Sequence, residues 1–144
     1  MYETLIQNIK NRLETISAIG AVYPYALREG EKIESYPAVV FFPDTAENNF
    51  ETESQNFKEY RFILYVVAST EYSTNEEVAT EILPNVVDKI IAKFDEDWSL
   101  GVTGSNRTWQ LIDSASAWTM PYTDSGAEMV APLNLRIRLL TPND

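Results

Sequence analysis

The chain contains no cysteine and no histidine in its 144 residues. Without cysteine there is no disulfide framework, no thiolate nucleophile and no Cys-ligated zinc. Without histidine the commonest general base and the commonest transition-metal ligand are missing as well. Asp, Glu and Lys chemistry stays open, but the usual routes to catalysis are closed. Positive charge is scarce too: 11 Lys and Arg face 22 Asp and Glu, for a net charge of −11. Such a chain is repelled by phosphate backbones and anionic membranes. Its basic residues are scattered from Lys10 to Arg138, so none of them forms a nucleic-acid stripe. The longest apolar stretches are about six residues, against the roughly twenty needed to span a bilayer. The start, Met1-Tyr2-Glu3-Thr4-Leu5-Ile6, has neither a basic segment nor an apolar run of signal-peptide type. The expectation is a chain made and assembled in the cytosol, with no membrane partner.

The apolar fraction of 44% and charged fraction of 23% are those of an ordinary globular chain. Its length predicts one α+β domain spanning 1–144, able to build a core without staples. Tyr2, Leu5, Ile6, Ile9, Leu13 and Ile16 recur at helical spacing, which predicts a helix over 2–19 stopped by Gly20. Val22 to Tyr25 reads as a short strand, and Tyr36 to Pro43 as a strand with proline at both ends. Asp44 to Asn56 is polar and acidic and reads as a long mobile hairpin connection. Phe57 to Ala68 alternates on two faces, Tyr60, Phe62, Leu64 and Val66 on one and Ile63, Tyr65 and Val67 on the other. Apolar residues on both faces predict cover on both. Ser73 and Glu76 fit a capping box, and Val78, Ile82, Val86, Ile90 and Phe94 line a second helix that Pro84 is expected to kink. That helix is expected to end near Phe94, before Asp95-Glu96-Asp97. Residues 107–113 and 115–121 read as strands. Leu133, Leu135, Ile137 and Leu139 alternate with Asn134, Arg136 and Arg138 in a strand with one buried face. The expected order is α-β-β-β-α-β-β-β, a mostly antiparallel sheet with two helices packed on it.

Candidate chemistry is thin. The acidic stretch Asp44–Glu53 has the oxygen ligands a hard cation wants, but Asp44-Thr45-Ala46-Glu47 lacks the alternating oxygens and central glycine of a calcium loop. A solvated or lumen-facing loop is the simpler reading, and no metal is expected. Asp95, Glu96, Asp97 and Asp113 are candidates for a glycosidase-type carboxylate pair, yet nothing in the sequence brings them together. Ser114, Ser116 and Ser125 have no histidine and no Ser-x-x-Lys spacing to activate them. Gly101-Val102-Thr103-Gly104 lacks the spacing and the lysine of a phosphate loop. No catalytic residue and no cofactor is therefore expected. Trp98, Trp109 and Trp118 read equally as interface anchors or as core.

One ordered set of motifs is more specific. A leading amphipathic helix is followed by Tyr36-Pro-Ala-Val-Val-Phe-Phe-Pro43, a polar connection, and Asn56-Phe-Lys-Glu-Tyr-Arg-Phe-Ile-Leu-Tyr-Val-Val67. A second helix and Val130-Ala-Pro-Leu-Asn-Leu135 complete it. This layout resembles the tail terminator (tail completion) proteins of long-tailed bacteriophages, in order from the first helix to the last strand; 95–128 lies outside the likeness. The resemblance implies a virion structural subunit, a hexameric ring that caps the head-proximal end of the tail tube and stops tube polymerisation. Its partners would be other copies of itself, the tube protein and the head-side connector, with DNA passing through an acidic lumen without specific binding. The candidate oligomer or tube interface residues are Asp44, Glu47, Asn49, Phe50, Glu51 and Glu53 of the polar connection, with Trp109 and Trp118 as aromatic anchors. The alternatives are a neighbouring head–tail connector subunit and, in another class, a small carboxylate-dependent hydrolase with acids converging in a pocket.

Overall fold

In the computed structural model, residues 2–28, 30–52, 55–71, 73–96, 107–114, 118 and 128–142 are described, those at 45–52, 55–57, 107–111, 113, 114 and 140–142 by their backbone. The elements run α1 (Tyr2–Glu14), β1 (Ala21–Tyr23), β2 (Ala38–Thr52), β3 (Gln55–Ser69), α2 (Asn75–Glu77), a π-helical turn (Val78–Ile82), α3 (Leu83–Asp95), β4 (Arg107–Ser114) and β5 (Glu128–Pro142). One five-stranded sheet has the order β1-β2-β3-β5-β4. β1 pairs with β2 in parallel and the other neighbours are antiparallel, so the α+β reading holds with a mixed sheet.

The core follows from strand parity. Val39 and Phe41 on β2, Tyr60, Phe62, Leu64, Val66 and Ala68 on β3, and Met129 to Leu139 at odd positions on β5 share one face. Leu5, Ile9 and Leu13 of α1, and Val86, Ile90 and Phe94 of α3, complete the same cluster, so both helices lie on that face. Arg12 stacks 5.5 Å over the Phe94 ring and ties the helices together.

α1 ends at Glu14, five residues short of the expected stop. The Thr15 hydroxyl and Thr15 N–H both donate to the Arg12 carbonyl, at 2.6 and 3.2 Å, and Ile16 N–H donates to Leu13. These tight i→i−3 bonds close the last turn. Gly20 instead serves a close approach. Its N–H donates to the Pro37 carbonyl at 2.7 Å, and a Cβ there would collide with Ser35 Oγ and lie 3.2 Å from the Tyr36 carbonyl oxygen.

The second helical stretch is capped one residue later than expected: Thr74 Oγ1 accepts from Glu77 N–H at 3.1 Å. Pro84 has no N–H to offer the carbonyl four residues back. The chain widens just before it, Leu83 N–H reaching the Val78 carbonyl five residues back, and Thr80 Oγ1 donates to the Glu76 carbonyl at 2.7 Å. Pro84 then sits at the start of α3, where a missing donor is harmless, and α3 ends at Asp95 next to the expected Phe94.

The largest correction concerns Asp44–Asn56. Apart from Glu53 and Ser54, which lie outside the described residues, it is strand rather than a long connection: β2 and β3 pair from Ala38↔Val67 to Thr52↔Gln55, with register shifts between Pro43/Ala46 and Phe50/Thr52. The expected strand at 115–121 and the loop and turn at 100–106 and 123–126 lie outside the described residues, apart from Trp118, which is not in a strand.

Candidate functional site

Three strands of the sheet are 15 residues long, well above the usual five or six, which at ~3.3 Å per residue is about 50 Å. α1 and α3 have 13 residues each, about 20 Å at 1.5 Å per residue, and Asn75–Asp95 as a whole is about 30 Å. The described helices are thus shorter than the three long strands. On β3 the helix-side core runs from Tyr60 to Ala68, and the sheet continues beyond it through Gln55 and Asn56, paired to both β2 and β5. The interface candidates Glu47, Asn49 and Phe50 fall on this extension, opposite Glu59, Phe57 and Asn56, and Glu51 lies at the second register shift. Trp109 stands opposite Arg138 on β5. Trp118 is half-buried against the core, and Asp44 is exposed where the extension begins. Glu53 and Trp98 lie outside the described residues.

The face away from the helices carries a second set of side chains. Near the middle of the sheet it is apolar: Val40, Phe42, Ile63, Tyr65, Val67, Val130 and Pro132 stand in adjacent register positions. Val40, Val67 and Pro132 are buried and Phe42, Ile63, Tyr65 and Val130 half-buried, and none of the seven belongs to the helix-side core. The Phe42 and Tyr65 rings meet at 5.9 Å.

Towards the extension this face becomes charged. Glu59 is 4% exposed. Arg61 donates to its Oε2 through Nε at 2.8 Å and Nη2 at 2.7 Å, and Arg138 Nε approaches Oε1 at 3.3 Å. Burial pushes the Glu59 carboxyl up, but the hydrogen bonds and charges of Arg61 and Arg138 outweigh it and hold it below the usual carboxylate range. Glu59 is thus an anchored anion at neutral pH, not a proton donor. Beside it, Asp44, Arg61, Asn134 and Arg136 line an open cleft of about 370 Å³. Arg61 and Arg136 are directly opposite each other on β3 and β5.

A depressed folded-state pKa contributes stability that is present above the unfolded value and lost as pH falls through the folded one. Glu59→Gln should therefore cost about 1–2 kcal/mol near pH 7, with the difference from wild type shrinking below about pH 4. Chemical denaturation at both pH values checks this. An undiminished difference in acid would show that the Glu59 charge is not what matters.

Sequence reasoning missed this cluster. The alternation Glu59-x-Arg61 and Arg136-x-Arg138 was visible, but Glu59 and Arg138 are 79 residues apart and meet only through the β3–β5 register. At the opposite end of the sheet, Tyr36 Oη donates to Glu128 Oε2 at 2.7 Å, and partial burial with this bond raises the Tyr36 pKa. Among the described residues no group of three or more acids is placed to hold a metal ion, and no helix is long and apolar enough to cross a membrane. Comparison with known protein families and with curated proteins finds no match.

Proposed function

We propose that the chain is a self-assembling structural subunit of a bacteriophage virion, a tail terminator whose copies form a ring on the head-proximal end of the tail tube. The observation that carries this is a sheet about 50 Å long beside described helices of about 20 and 30 Å on one face. A long sheet with a partly buried apolar outer face is suited to packing against another surface. Ring closure by repeated copies supplies one without exposing a free end. The resemblance over 36–67 supports the specific identity, and those residues include β2 and most of β3.

On this reading the chain is not an enzyme. Its partners are its own copies, probed as a hexamer, with the tube protein on one side of the ring and the head-side connector on the other. DNA crosses an acidic lumen without specific contacts. The protein resides in the tail or neck of the virion and is assembled in the host cytoplasm. Electron microscopy of particles made without this chain tests the role. Overlong or unjoined tails are expected; full-length tails beside leaky, DNA-filled heads would assign it to the connector instead.

A further inference from the structure

The two edges of the sheet are unequal, and their outlines match. β1 pairs with β2 only from Ala38 to Val40, while β2 runs on to Thr52. From Phe41 to Thr52 the outer edge of β2 therefore has no strand beside it among the described residues. At the other edge β4 pairs with β5, and its outer side is likewise open among the described residues. Unpaired N–H and C=O groups along an edge are a template for a further strand. The pairing also fixes the levels. Ser114 of β4 stands opposite Leu133, Leu133 opposite Leu64, and Leu64 opposite Phe41 of β2. Arg107 reaches the level of Asn49 in the same way, through Leu140 and Phe57. β4 thus occupies the levels of Phe41 to Asn49, and β1 those of Ala38 to Val40. One edge is recessed where the other is filled.

We infer that β4 of one copy of the chain pairs with the open stretch of β2 in the next copy, so that the sheet continues from subunit to subunit. The levels select a second copy: its β4 fills the recess beside Phe41 to Asn49 and clears β1, which stops at the level of Val40. The directions agree as well. β2, β3, β5 and β4 alternate, so β4 runs antiparallel to β2, and the junction has the stronger ladder geometry. Pro43 and the irregularity after it blunt the edge next to β1, which leaves Ala46 to Asn49 as the clean stretch. There Arg107 arrives at the level of Asn49, with Glu47 and Glu51 two residues to either side, and opposite charges at such cross-strand positions attract. Because the two edges differ, the contact is head-to-tail. Pairing at equal level adds no rise along the strands, which for an axis along them is the condition for a closed ring instead of a helical filament. The inference rests on the self-assembly reading and names the strands that carry it.

The chain has no cysteine, so introduced pairs read the contact without background. Within one subunit β3 and β5 lie between β2 and β4, a separation of about 14 Å at the usual strand spacing, which no disulfide spans. Asn48 and Thr108 stand at one level, through Lys58 and Leu139. Oxidised Asn48→Cys/Thr108→Cys should therefore link copies into covalent multimers that stop at the ring number and return to the single subunit on reduction. The control is Lys32→Cys/Thr108→Cys, Lys32 being exposed and outside the sheet; it should link roughly tenfold less. Thermal unfolding under reducing conditions shows whether each variant folds like wild type. If the first pair does not, Asn49→Cys/Arg107→Cys reads the same register one level further on. Assembly that stays intact while the level pair links no better than the control would overturn the inference and leave the self-assembly reading standing, the open edge then being free for a strand of another protein. Links that run on into open polymers would support the edge pairing and contradict ring closure. A wild-type chain that never associates, with no linkage in either pair, removes both readings.

Discussion

Phe62→Ala is expected to cost about 3–5 kcal/mol of folding stability. Phe62 is 1% exposed on β3, the central strand of the sheet, and its ring meets those of Tyr2 at 6.0 Å and Phe41 at 6.5 Å. Truncation removes the transfer energy of the ring and opens a cavity where α1, β2 and β3 meet, which a strand held on both sides cannot collapse to fill. For a protein of typical stability that is a third or more of the total. The unfolding midpoint should fall by on the order of 10 °C. A shift below about 2 °C would mean that the helix-side cluster is not the centre of the core.

The next residue in the chain should behave oppositely. Ile63 lies on the other face of β3, half-buried, between Phe42 of β2 and Asn134 of β5. Ile63→Asp keeps the helix-side core intact and should cost the fold about 1 kcal/mol. It also places an unpaired charge in the apolar patch proposed to be covered in the assembly. A charge buried in a desolvated contact costs 2 kcal/mol or more, so association should weaken roughly thirtyfold or beyond. Unfolding and sedimentation measured on the same preparation separate the two effects. Loss of stability equal to that of Phe62→Ala, or unaltered assembly, would argue that this face is internal cover.

The contrast between 62 and 63 shows how far the sequence could be read. Wherever apolar residues keep a strict period, the structure agrees: Leu5, Ile9 and Leu13 on α1, the even positions of β3 and the odd positions of β5 all enter the core. The apolar odd positions of β3 already signalled a second apolar face, which is partly buried. What failed was reading polar composition as loop. Glu47, Asn48 and Asn49 are poor strand formers by intrinsic preference, yet their backbone is held in register by β3, which is itself held by β5. That is tertiary context, and no local window contains it. The end of α1 failed for a local reason, the competing Thr15 hydroxyl. The Arg61–Arg136 cleft and the buried Glu59 were illegible because they depend on which residue of β5 stands opposite which residue of β3.

The pairing of β2, β3 and β5 also decides how the far end of the sheet is read. A hairpin of polar residues would be tolerated as solvated loop, and its composition alone would place no demand on a partner. As paired strand, its backbone continues the ladder of β2, β3 and β5.

The central claim is that the chain closes into a ring of its own copies. Native mass spectrometry of the wild-type protein, at low micromolar concentration and moderate salt, tests it most directly. The account predicts one dominant closed species at an integer multiple of the 16.4 kDa subunit, six on the resemblance, appearing alone or on addition of tail tube protein. A strict 16.4 kDa monomer under both conditions would contradict it.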